Sequence, residues 1–191
     1  LDTLTEKINT SYSAYKFQEI ANKLYDFFWS EFCDWYLESI KQYFRDDADP
    51  DRRETALIVV DTVFSRFLQQ LHPYMPHITE ELWEKLGFAE NGELLMRVCL
   101  PEESVMQVLD SHLVEQAKER TNAIHEATTR ARHLKAQYNL AANRNVKFYL
   151  HPSVEWAMEE LETLKILSGA GEIFVSETYE PSAGTPTFLT P

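Results

Sequence analysis

Apolar positions spaced three and four residues apart run through most of the chain, and their interruptions mark its elements. The densest pattern is Lys16 to Phe44, KFQEIANKLYDFFWSEFCDWYLESIKQYF. Phe17, Ile20, Ala21, Leu24, Phe27, Phe28, Trp35 and Ile40 keep near-helical spacing there, while Tyr25, Trp29, Phe32, Tyr36, Tyr43 and Phe44 widen the apolar surface beyond one stripe. A helix so apolar on most sides belongs at the centre of a fold. It either runs on to Phe44 or bends near Asp34, a residue type that caps a new segment.

The other elements follow from the same pattern. Leu1, Leu4 and Ile8 form the end of a helix that gives way to the polar run Asn9 to Ser13. Asp49 followed by Pro50 is an N-cap with proline at the first helical position. From there Ala56, Val59, Val60, Val63, Phe64, Phe67, Leu68 and Leu71 carry a helix to the His72-Pro73 boundary. Pro76 or Thr79 opens a short helix with Ile78, Leu82, Trp83 and Leu86, with Glu80 and Glu81 suited to its positive end and Gly87 as its stop. Residues 88–110 read as an extended crossing segment. A long helix follows from 103 or 110 to 137, with Leu113, Ala117, Ile124, Ala131, Leu134 and Tyr138 on one face and Lys118, His125 and Arg132 on a line beside it. Val146, Phe148 and Leu150 then alternate as a strand, and Pro152 and Ser153 start a helix through Trp156, Leu161 and Leu164. Gly169 and Gly171 end it, EIFVSE reads as a second strand, and Thr187 to Leu189 as a third.

Composition agrees with a folded chain, since 191 residues with 44% hydrophobic and 13% aromatic side chains suffice for a core. No apolar run spans a bilayer and no signal peptide opens the chain, so a soluble, intracellular, cytoplasmic protein is expected. The start at Leu1 rather than Met reads as part of something longer. Cys33 and Cys99 have no ligand spacing and read as core or boundary residues.

The net charge of −13 argues against a polyanionic partner, but its distribution changes the picture. Residues 1–117 hold 10 basic and 22 acidic side chains, residues 118–147 hold 7 and 2, and residues 148–191 hold 1 and 7. The basic stretch is either a binding face or a solvated helix of uneven charge.

No phosphate-cradling glycine loop, zinc-binding His pair or nucleophile elbow occurs. His72, His77 and Glu80 do not share a helical face and read as structural. Asp46, Asp47, Asp49 and Asp51 lack the glycine and distal glutamate of a calcium loop, so no metal site is expected.

Two runs carry a resemblance. FFWSEFCDWYLESIK (Phe27–Lys41) and LHPYMPHITEELWEKLG (Leu71–Gly87), separated by TALIVVDTVFSRFL, closely resemble the anticodon-binding domain of class I aminoacyl-tRNA synthetases. The second run is shared with the leucyl and isoleucyl enzymes, whereas the first resembles the valyl branch. RHLKAQYNL and the strand-helix-strand unit extend the likeness over nearly the whole chain.

The resemblance implies a mainly α fold: an antiparallel helical bundle over 1–138, long basic helix included, followed by a small α/β (β-α-β) subdomain at 139–191. It implies as partners a valine-accepting tRNA and the remainder of a synthetase chain, with a monomer and no membrane. H-I-G-H and K-M-S-K-S are absent, so ATP and Mg belong to the parent enzyme, and this piece carries no cofactor, no catalytic residue and no activity alone. An anticodon reader needs an aromatic platform and cations for the backbone. The expected tRNA-binding residues are Lys16, Lys23, Phe28, Trp29, Phe32, Arg130, Arg132 and Lys135. Lys135 and Thr129 stand where the valyl pattern has arginine, which removes a bidentate fork at each. The alternatives are a helical protein-interaction domain without RNA binding, supported by the acidity of residues 1–115, and the equivalent domain of a leucyl or isoleucyl enzyme.

Overall fold

Leu4 and Ile8 lie one turn apart on the first helix, α1 (Asp2–Ser13), and both are buried. In this computed structural model residues 2–89, 92–98, 111–151, 158–176, 179–180, 182 and 185–187 are described. The chain forms two compact units, Leu1–Leu109 and Asp110–Pro191.

In the first unit the polar run expected to end α1 is itself helical. Thr10, Ser11 and Ser13 each donate a hydroxyl to the carbonyl four residues back, which satisfies them within the helix. The aromatic stretch follows as α2 (Phe17–Asp26), a π-helical segment (Phe27–Leu37), α3 (Glu38–Ile40) and a 3₁₀ turn (Lys41–Phe44). No cap forms at Asp34, and helical dihedrals hold at both ends of the widened segment. Eleven residues of π winding is unusual. Phe28, Phe32 and Tyr36 form a column of rings along it, with centroids 6.0 and 5.9 Å apart. Phe28 also stacks on Phe67 at 4.7 Å, and Phe32 lies 6.4 Å from Phe64 at 8°.

Those partners stand on α4 (Pro50–Leu71), which begins as the sequence predicts: Asp49 Oδ1 accepts the Asp51 N–H at 3.0 Å and Pro50 takes the first turn. One core cluster joins Leu4 and Ile8 with Ile20, Leu24 and Phe67. A second gathers Leu68, Trp83 and Leu95 from α4, α5 (Pro76–Lys85) and a 3₁₀ turn at Leu95–Arg97. Glu80, expected to serve the α5 N-terminus, accepts the Leu95 N–H at 2.7 Å and fastens that turn. His72 pairs with the buried Thr79 hydroxyl at 2.7 Å, the structural role its proline-rich corner implies. Cys33 is half-buried, and burial followed by the nearby Asp34 charge pushes its thiol up. Cys99 and residues 99–110 of the expected crossing segment lie outside the described residues.

The second unit contains α6 (Ser111–Gln137), β1 (Lys147–Leu150), α7 (Leu161–Ser168) and β2 (Glu172–Val175). The strands pair in parallel, Lys147 with Glu172 through Leu150 with Val175. Phe148, Leu150, Ile173 and Val175 are half-buried, while Tyr149 and Phe174 stack at 5.2 Å on the open face. The helix start at Pro152 to Trp156 and most of the third strand at Thr187 to Leu189 lie outside the described residues. The buried face of α6 is Thr128, Ala131 and Lys135; of the expected line Ala131 is buried and Ile124 and Leu134 are half-buried, while its two ends, Leu113 and Tyr138, are exposed. Its contacts with α7 put α6 in the second unit, so the units part at 109/110 rather than at 138/139.

Candidate functional site

α1 and α2 are joined by three residues, and the turn is closed by Lys16 N–H donating to Ser11 O and Tyr15 N–H to Tyr12 O, both at 2.9 Å. This pair of bonds needs a left-handed residue just past the helix end, and Tyr15 supplies it with φ +56°. Behind the turn lies an open cavity of about 210 Å³ lined by Lys7, Thr10, Ser11 and Ala14 of the first helix and turn and by Lys16, Glu19 and Lys23.

Three lysines against one glutamate leave this cavity two positive charges in excess. Lys16 Nζ lies 2.8 Å from Glu19 and Lys23 Nζ 3.6 Å from it. The Lys16 hydrogen bond above all, with the charges of Lys16 and Lys23, holds the Glu19 carboxyl below its ordinary range. Lys23 also donates to Ser11 Oγ at 2.6 Å. Both hydroxyls already donate to α1 carbonyls, so the ammonium groups are the cavity's donors for an incoming anion. Among the described residues no carboxylate pairs with Lys7.

Aromatic rings cluster at the turn itself, although none of them is among the residues that line the cavity. Tyr15 is 80% exposed and meets Phe17 edge-on at 6.3 Å; Phe17, 52% exposed, meets Tyr12 edge-on at 6.4 Å. Tyr74 donates its hydroxyl to Phe17 O at 3.3 Å, tying the turn to the loop after α4. Burial, and then neighbouring Tyr74, pushes the Tyr12 hydroxyl up to about 12, so it stays neutral.

Of the eight residues singled out from sequence, Lys16 and Lys23 meet in this cavity. Trp29 is 55% exposed and presents a ring to solvent. Phe28 and Phe32 do not: their faces are occupied by Phe64 and Phe67, which removes them as platforms for a base. Arg130 is exposed and pairs with Glu126 one turn earlier. Arg132 and Lys135 do a different job. Arg132 Nε donates to Leu167 O at 2.8 Å, and Lys135, 4% exposed, donates to Gly169 O at 2.6 Å and Ser168 O at 3.3 Å. Both satisfy the orphan carbonyls at the α7 C-terminus, where a cation is favoured. Burial, then Arg144 and Arg132, pushes the Lys135 amine down.

Sequence reasoning missed Lys7, Thr10, Ser11 and Tyr15. The signal for the first three was weak, a lysine followed by hydroxyls three and four residues on. Tyr15 had a clearer one: two periodic segments meet there without glycine, asparagine or proline, so some other residue must take the left-handed position.

A family model described as "Anticodon-binding domain of tRNA ligase" matches residues 1–150. Among curated proteins, the valine–tRNA ligase of Pseudothermotoga lettingae is 31% identical over 177 residues, covering 93% of this chain and 19% of that protein. That of Aquifex aeolicus is 28% identical over 175 residues, 86% of this chain and 14% of the relative. That of Geobacter sulfurreducens reaches 47% over 90 residues, 46% of this chain and 10% of the relative. The chain thus spans a fifth or less of the length of these relatives.

Proposed function

The chain belongs to the family of anticodon-binding domains of tRNA ligases, and on that premise we propose that it is the anticodon-reading module of a valine–tRNA ligase. The helices of residues 2–89 then correspond to the family's antiparallel bundle, and the β-α-β unit is its appendage. The observation that carries the reading is the α1–α2 cavity, a concentration of positive charge at a turn that also carries the exposed rings of Tyr15 and Phe17, within an otherwise acidic unit. Anticodon bases are unpaired and can be splayed out, so cations that hold the backbone and rings that accept a base are the features such a reader requires.

Lys16 and Lys23 hold phosphates in this proposal, Trp29 is a stacking surface and Arg130 an outer phosphate contact. Phe28 and Phe32 build the core, and Arg132 and Lys135 hold α7. The parent enzyme attaches valine to its tRNA using ATP and Mg. This chain carries neither H-I-G-H nor K-M-S-K-S, and no step of that chemistry is assigned to its residues. Aminoacylation belongs to the remainder of the parent, a cytoplasmic and monomeric enzyme. Among the described residues no helix is long and apolar enough to cross a membrane.

Titration of the chain with tRNA carrying a valine anticodon, and with tRNAs altered at the central or third anticodon base, tests the reading. Binding at low salt that weakens with either change is the expected result. No binding returns the chain to the protein-interaction alternative, and preference for a leucine or isoleucine anticodon reassigns the branch.

A further inference from the structure

Four described helices end in the same pair of bonds around a left-handed residue, and one of the four residues is out of place. α5 uses Gly87, α6 uses Asn139 and α7 uses Gly169, each a type that tolerates positive φ. α1 uses Tyr15, with φ +56°. A tyrosine there is strained, and its ring does not recover that strain through burial, since it is 80% exposed. Ala14 and Lys16, its two neighbours, both line the lysine cavity.

We propose that the cavity and the Tyr15 ring form one single-nucleotide subsite: a phosphodiester held among Lys7, Lys16 and Lys23, and the adjoining unpaired base stacked on Tyr15. The subsite rests on the anticodon-reading function above and specifies where one nucleotide of the loop lies. The left-handed turn holds the ring out from the helix pair, and Phe17 supports its edge. Lys7 offers a donor that no described carboxylate engages. Glu19 acts as the resident anion. It occupies Lys16 and Lys23 while the site is empty, and an incoming phosphodiester competes with it for them.

Competition of this kind gives a variant whose effect cannot arise from damage to the fold. With a short RNA hairpin carrying a valine anticodon in its loop as the probe, Glu19→Gln binds about threefold more tightly than the native chain. Tyr15→Gly binds about tenfold more weakly, while its thermal midpoint rises because strain is relieved. A Glu19→Gln chain that binds no better, or a Tyr15→Gly chain that binds as the native one does, overturns the subsite and leaves the anticodon-reading function standing. A native chain that fails to bind the hairpin at low salt overturns both.

Discussion

Two corners of this chain each gather three cations and use them in opposite ways. At the α1–α2 turn, Lys7, Lys16 and Lys23 line an open cavity with one carboxylate among them. At the end of α7, Lys135 and Arg132 aim donors at carbonyls, and a methyl added to Gly169 would lie 3.4 Å from Lys135 Nζ and 3.5 Å from an Arg144 nitrogen. The first corner lies in an acidic region and the second in the basic stretch of the chain. Positive charge therefore marks an anion site where its donors line an open cavity and are held only by one exposed carboxylate and a hydroxyl; where they face helix carbonyls it is part of the fold.

Substitutions at the two corners should separate stability from binding, and the largest effect falls at the α7 end. A methyl on Gly171 would sit 2.7 Å from Arg144 O and 3.0 Å from Asn145 Cα, both backbone, with no flexible atom to give way. Gly171→Ala should lower the stability of the second unit by about 2 kcal/mol or more, measured by denaturant unfolding. Lys135→Met should cost about 2 kcal/mol by the same measurement, because two carbonyls lose a charged donor.

Lys135 also predicts a pH dependence. Its folded pKa lies below the ordinary 10.5, so the unfolded chain binds the proton more tightly between the two values. The burden of the buried charge is full at neutral pH and is relieved as pH rises through the folded pKa toward 10.5. The stability of the native chain relative to Lys135→Met should increase over that window.

At the α1–α2 turn the stability effects are smaller and one is reversed in sign. Lys23→Met loses the bond to Ser11 on a partly exposed side chain, about 1 kcal/mol or less. Tyr15→Gly should gain about 1 kcal/mol by releasing the left-handed strain. Arg130→Gln, on an exposed pair, should change stability by less than about 0.5 kcal/mol. A large loss at Tyr15 or none at Lys135 would erase the distinction between the corners.

Much of this fold was legible in the chain because its signals are local. Asp49 and Pro50 start α4, the His72-Pro73 boundary ends it, and Pro76 and Gly87 bracket α5, each through a cap or stop whose chemistry sits within a few residues. The π winding was not legible. Its aromatic string has no single period, and the rings that hold it, Phe64 and Phe67, come some thirty residues later. The same distance hid the site. Arg132 and Lys135 read as a basic flank because their acceptors, Leu167 to Gly169, lie more than thirty residues on. Nothing local marks Lys7, which comes beside Lys23 only through the packing of α1 on α2.

The steepness with which hairpin RNA affinity falls with salt measures most directly which cations meet phosphate. Lys7→Ala combined with Lys23→Ala should reduce the slope of log K against log salt by about 0.7 for each cation removed. Arg132→Gln combined with Lys135→Met should leave that slope at the native value. An unchanged slope in the first variant, or a reduced slope in the second, would contradict the assignment of binding to the α1–α2 turn.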